Sequence, residues 1–173
     1  MTDTHKQPTL VVELLHPDAQ PPKRATAGSA GYDLFAYLNG RTLRCSDGAR
    51  TWEMVTGPQP GPATVELQAG SMALIPLGFK ARLPDGYEAQ IRPRSGTTFK
   101  KGLDIPNAPG TIDADYPEEW MVIVRNPGAS AIRIEHGERI AQMVLSRFEV
   151  LPVAFGSVAV TTDRVSGFGS TGS

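Results

Sequence analysis

Glycine and proline punctuate this chain so densely that long helices have almost nowhere to form. Eighteen glycines and fifteen prolines make up nearly a fifth of its 173 residues. Both residues break helices, and both favour turns between short extended runs. The runs between them are apolar and rich in β-branched residues. TLVVELL (Thr9 to Leu15) is closed by Pro17, and MALIPLGFKARL (Met72 to Leu83) reads as strand, turn, strand before the Pro-Asp-Gly turn at 84–86. YEAQIRP, WMVIVRNPG, AIRIEHG and RIAQMVLSRFEVLPVAFG follow in the same manner. In AIRIEHG, Ile132 and Ile134 alternate with Arg133 and Glu135, the two-residue period of a half-buried strand. Many short strands at close spacing, with no internal repeat, predict an all-β sandwich, jelly roll or barrel.

The length suits one domain with a proper core. A net charge of −1 gives no electrostatic case for nucleic acid or an acidic membrane. A single cysteine, Cys45, excludes an internal disulfide and any multi-cysteine zinc site. His5, His16 and His136 match no metal-ligand spacing. No apolar run is long enough to span a membrane, and MTDTHKQPTL lacks the apolar region of a signal peptide, so a soluble cytoplasmic protein is expected.

Two segments stand apart from the strand pattern. Residues 38–64 are turn-rich, with five of the six residues Gly57 to Pro62 being Gly or Pro. They read as an excursion from the barrel, either a loose surface loop or a docking site for another protein. The second is the end, DRVSGFGSTGS, where three glycines fall within the last seven residues around Phe168. It is either a frayed terminus or a flap that orders over a ligand, with Phe168 as a flat face and backbone N–H groups as anion donors.

Charge is segregated locally. RPRSGTTFKKG (92–102) carries Arg92, Arg94, Lys100 and Lys101 and no acid. It reads as a basic loop, with the guanidinium forks, hydroxyls and glycine amides that hold phosphate oxygens. GTIDADYPEEW (110–120) is the reverse, with Asp113, Asp115, Glu118 and Glu119 in seven residues. In an extended strand Asp113 and Asp115 would share a face, where one could orient water or a metal; alternatively, both bond their own backbone. In GERIAQMVL, Gln142 is a polar group inside an apolar run and needs a partner, structural or ligand. GFGSTG lacks the Lys-Ser/Thr of a P-loop and the helix that should follow it.

Taken in order, AGSAGYDLFA (27–36), PRSGTTFK (93–100), NAPGTIDADY (107–116), GERIAQMVL (137–145) and RVSGFGSTG (164–172) resemble the five motifs of the trimeric dUTP nucleotidohydrolases (dUTPases). The resemblance implies a jelly-roll-like (β-clip) subunit with a flexible Gly-rich tail. It implies a homotrimer whose active sites are each built from three chains, and Mg²⁺-dependent hydrolysis of dUTP to dUMP and pyrophosphate. It divides the chain into a β domain over 1–160, with an insertion at about 38–64, and a lid tail over 161–173. By the same resemblance, Asp113 deprotonates the attacking water. Asn107 and the backbone of Gly110, Thr111, Ile112 and Asp113 read uracil, while Tyr116 packs on the deoxyribose. Arg94, Ser95 and Gly96 hold the phosphates, and Asp33 and Gln142 act on the metal through water. Phe168 stacks on the base with Gly169 beside it, and Arg164, Ser170 and Thr171 close over the phosphates.

Three departures stand out from the family pattern. Ser-Gly-Thr-Thr (95–98) replaces the usual Ser-Gly-Leu-Ala, which should alter packing beneath the phosphate loop. Tyr116-Pro117-Glu118-Glu119 replaces Tyr-Arg-Gly-Glu, and the tail is one residue short between Arg164 and Phe168. Competing readings are a dCTP deaminase-like enzyme, disfavoured by GTIDADY and GFGSTG, and a nucleotide-binding regulatory protein that engages a partner through 38–64.

Overall fold

The computed structural model describes residues 7–57, 61–159 and 161. Thirteen strands and one short helix appear among them. In chain order they are β1 (Val11–Leu14), β2 (Lys23–Arg24), β3 (Gly31–Phe35), β4 (Thr42–Ser46), β5 (Thr51–Val55), β6 (Thr64–Leu67) and β7 (Met72–Pro76). Then come β8 (Phe79–Arg82), β9 (Tyr87–Arg92), α1 (Ser95–Lys101), β10 (Gly110–Ile112), β11 (Met121–Arg125), β12 (Ile132–Glu135) and β13 (Arg139–Arg147). All the strand pairs are antiparallel. They form a five-stranded sheet β10-β9-β13-β3-β2, a four-stranded sheet β11-β7-β4-β5, and the ribbons β1-β8 and β12-β6. The expected all-β, jelly-roll-like fold is what forms, and the predicted runs fall on strands, except that the last run is strand only over 139–147 and its second half, 148–156, is in none.

Alternation along these strands builds the core. Leu34, Ala89, Ile91, Ala141 and Met143 of the five-stranded sheet meet Leu43, Cys45, Ala73, Ile75, Val122 and Val124 of the four-stranded one. Ile132 and Ile134 turn inward while Arg133 and Glu135 face water, as their spacing predicts. Trp120 is fully buried, with its ring 5.5 Å from that of Phe79. Cys45 is a core residue, and burial pushes its thiol pKa up, away from the reactive thiolate.

The segment 38–64 differs from its expectation. It is no excursion. β4 and β5 form a hairpin, and β4 pairs with β7 through Cys45↔Ala73 and Ser46↔Met72, so the hairpin extends the four-stranded sheet. Leu38, Leu43, Cys45 and Ala63 are buried in the common core. Its root is pinned by Thr56 N–H to the Arg41 carbonyl at 2.8 Å, and by an ion pair from Arg41 to Glu119. The other Glu119 oxygen accepts the Gly78 N–H at 2.9 Å. Gly78 has φ of 74°, and a Cβ there would lie 2.9 Å from the Tyr37 ring, so glycine is required on both counts. The turn residues that suggested a loop mark only the ends of two strands, in which Leu43 and Cys45 turn inward between the outward Thr42 and Arg44.

The two described histidines pack at the edge of the core around Tyr37. His16 stacks on Tyr37 with ring centroids 4.4 Å apart, and His136 Nδ1 accepts the Leu38 N–H at 3.1 Å.

Candidate active site

Two clusters of the motif residues form, on different parts of the five-stranded sheet. The first lies on its outward face. Asp33 in β3 is directly opposite Gln142 in β13, which is opposite Arg92 in β9. Side chains directly across a sheet share a face. Arg94, which follows β9 and precedes α1, turns back over this row. Its Nε donates to Asp33 Oδ1 at 2.7 Å, and Arg139 Nη1 donates to Asp33 Oδ2 at 3.2 Å. Gln142 Nε2 donates to the carbonyl of Pro93 at 2.8 Å, which fixes the approach to Arg94 and leaves Oε1 facing Gly31. A Cβ on Gly31 would come 2.4 Å from that oxygen, so glycine here makes room for the amide.

The basic loop expected at 92–102 instead carries a helix of about two turns over Ser95–Lys101. Ser95 and Gly96 open α1, where backbone N–H groups have no helical acceptor, and Gly102 closes it with φ of 71°. Lys101 is spent on Glu138.

The second cluster surrounds β10. Asn107 leads into the strand, and its Nδ2 lies so near Gly110 that a Cβ there would be 2.8 Å away. Ile91, Asn107, Gly110, Thr111, Ile112 and Tyr116 line part of a cavity of about 490 Å³ whose far wall is β11. Asp113 and Asp115 are not on a strand. Residues 113–116 form a turn closed by the Tyr116 N–H on the Asp113 carbonyl at 3.2 Å. Asp113 is exposed, and none of the ion pairs among the described residues involves it.

Register sets the distance between the two clusters. Ile112 is opposite Ala89, whereas the Asp33 row crosses β9 at Arg92. Asp113 is therefore about four residues along the strands and three strands across from Asp33. At strand rise and spacing this is roughly 14 Å in each direction, or roughly 20 Å in all. One chain does not bring Asp113 to Arg94.

Arg164, Phe168, Gly169, Ser170 and Thr171 lie outside the described residues. No group of three or more His, Cys, Asp or Glu gathers for a metal among the described ones. Both oxygens of Asp33 already accept from guanidinium groups, so a metal here would be reached by Asp33 only through water.

Two members of the first cluster were not among the sequence candidates. Thr97 is buried, and its hydroxyl accepts from Arg94 Nη1 at 3.2 Å while donating to the Arg139 carbonyl at 3.2 Å. It stands where the family pattern has leucine, so that departure exchanges an apolar contact for a bracket on Arg94. Arg139 sits inside the quoted motif GERIAQMVL, but strand parity alone would aim it away from Gln142, three residues on.

Comparison with known proteins identifies the family. A family model described as dUTPase matches residues 61–172. The deoxyuridine 5'-triphosphate nucleotidohydrolase of Rhizobium meliloti (strain 1021) is 41% identical over 152 residues, covering 87% of this chain and 82% of that protein. The structure of a dUTPase of phage 80alpha superposes with a TM-score of 0.72 at 26% identity, covering 99% and 100% of the two chains. A dUTPase from phage phi11 of S. aureus, in which a structural Mg(II) ion is coordinated, has a TM-score of 0.67 at 22% identity over 87% of this chain and 97% of that one. With the motif residues gathered on the sheet and its hairpin, and a family model spanning most of the chain, the protein belongs to the dUTPase family.

Proposed function

We propose that this protein hydrolyses dUTP to dUMP and pyrophosphate at a site shared between chains. The observation that carries the reading is Asp113, an exposed carboxylate in no ion pair among the described residues, one residue past a pocket-lining strand. In that place it can take a proton from a water attacking the α-phosphate. The hairpin from Asn107 to Ile112 offers backbone groups to a uracil edge. Tyr116 offers a ring to the sugar, where a 2′-hydroxyl would collide. Arg94 and the first amides of α1, at Ser95 and Gly96, suit the phosphate chain.

A base must reach its proton directly or through one water. The separation of roughly 20 Å, from strand geometry, therefore supports Asp113 of one chain serving the Arg94 cluster of another. Further support comes from Phe148, Val150, Leu151, Val153, Phe155 and Val158, an apolar run left exposed that a second copy would cover. Three copies match the family resemblance, with Phe168 and its neighbours closing from the tail.

Mg²⁺, when bound on the phosphates, supplies charge neutralisation, and Asp33 and Gln142 are the residues that would hold it through water. Any protein partner of the 38–64 segment would meet the edge strand β5 and its exposed Val55 rather than a free loop. Among the described residues no helix is long and apolar enough to cross a membrane, and the cytoplasm is the proposed location.

The test is pyrophosphate release from dUTP, dTTP, dCTP and UTP, with and without Mg²⁺. Release from dUTP alone, dependent on Mg²⁺, is expected, and no release from dUTP would overturn the reading. Gly31→Ala is expected to push the Gln142 amide off its position and lower kcat/KM for dUTP by about tenfold, the scale of overpacking a tight contact. Steady-state kinetics on that variant check it, and unchanged kinetics would show that Gln142 placement is immaterial.

A further inference from the structure

We propose that Arg139 is a second phosphate-binding guanidinium of this site, preset beside Arg94 by Asp33 and Thr97. The proposal rests on the function proposed above, and adds a residue that neither strand alternation nor the pocket would nominate.

The first argument is the course of β13. In a regular strand, residues three apart point to opposite faces, so Arg139 should point away from the face that carries Gln142. The register shifts between Arg139 and Ala141, where the pairing passes from Phe35 to Leu34. Such a bulge takes up an extra residue and turns the next side chain over. Arg139 thereby falls opposite Phe35, two residues from Asp33 and on the same face. The irregularity is what delivers Arg139 to Asp33.

The second argument is how the donors are used. Arg94 commits two of its three nitrogens: Nε goes to Asp33, and Nη1 goes to Thr97 Oγ1 and, at 3.5 Å, to the Arg139 carbonyl. Arg139 commits only Nη1 among the described residues, and its side chain is 52% exposed against 23% for Arg94. Its remaining N–H groups are unspent.

The third argument is charge. One carboxylate satisfies one guanidinium best, through two parallel bonds. Asp33 is instead divided between two, which leaves the pair a net positive charge. The neighbouring cations do not share this role. Lys101 is neutralised by Glu138, and Arg92 leans along its own strand to the Gln90 amide oxygen at 2.5 Å. Two half-spent guanidiniums on one carboxylate form a fork matched to an oligophosphate anion, the triphosphate of the substrate or the pyrophosphate that leaves. Asp33 and Thr97 are then positioning residues: Thr97 joins the Arg94 side chain to the Arg139 backbone.

The experiment measures binding of inorganic pyrophosphate, with Mg²⁺ present, to the full-length protein and to Arg139→Ala and Arg139→Lys by titration calorimetry. Deoxyuridine binding and the melting temperature serve as controls. Arg139→Ala is expected to weaken pyrophosphate binding about tenfold or more, as the loss of charged hydrogen bonds does. Deoxyuridine affinity and melting temperature should hold, and Arg139→Lys should recover part of the loss. A wild-type protein that binds no pyrophosphate, a variant that binds it unchanged, or a parallel fall in both ligands with the melting temperature would each overturn the proposal. Turnover of dUTP by the wild type is scored separately. Pyrophosphate binding that depends on Arg139 without any turnover would fail the proposed reaction and leave the anion site standing.

Discussion

Asp113→Asn lowers kcat for dUTP by about 100- to 10,000-fold, the usual worth of a positioned general base. Asparagine keeps the size and a carbonyl oxygen but cannot take the proton. Asp113 is exposed, and the contact fixed at this turn runs through its backbone carbonyl to the Tyr116 N–H. The substitution should therefore leave stability within about 0.5 kcal/mol of wild type. Steady-state kinetics, dUTP binding and a denaturant melt separate these effects; a kcat within about threefold of wild type would remove Asp113 from the chemistry. The same variant tests the shared site. Refolding Asp113→Asn chains together with Arg94→Ala chains should restore activity that neither has alone, because some mixed assemblies pair an intact Asp113 with an intact Arg94. No recovery in verified mixed assemblies would place both residues in one chain's site, against the strand register.

Deleting residues 38–64 abolishes cooperative folding. A docking loop could be removed with little effect, but this segment contributes Leu38, Leu43, Cys45 and Ala63 to the core, and β4 pairs with β7. Truncating one buried leucine to alanine costs about 2–5 kcal/mol. Removing Leu38 and Leu43 together with the strand between β7 and β5 therefore takes away as much as a domain's whole net stability of about 5–15 kcal/mol. Circular dichroism and a thermal melt decide it. A deletion variant that melts cooperatively near the wild-type temperature would return the segment to the status of a surface insertion. Leu43→Ala alone should give a folded protein with a clearly lower denaturant midpoint, by about 2–5 kcal/mol of stability.

The sequence by itself determined the class of fold and the identity of the motif residues. Periodicity of two is a local property, so AIRIEHG and YEAQIRP showed their inward and outward faces without reference to any partner. The density of glycine and proline limited helix, among the described residues, to the seven residues of α1. Motif order marked Asp33, Arg94, Asp113 and Gln142, because spacing along a chain needs no third dimension.

What only the tertiary structure decided depends on pairing between distant segments. The hairpin at 42–55 looked like a loop because turn residues crowd the segment around it, at 46–49 and 57–62; its membership in the sheet rests on β7, some thirty residues later. Arg139 was hidden because a bulge reverses the parity by which strand side chains are read. Thr97 looked like a packing change until its hydroxyl was found between Arg94 and the Arg139 carbonyl. The distance between Asp113 and the Asp33 carboxylate that holds Arg94 follows from strand order, which local sequence does not encode: β9 and β13 lie between β10 and β3, and they pair across more than fifty residues of chain.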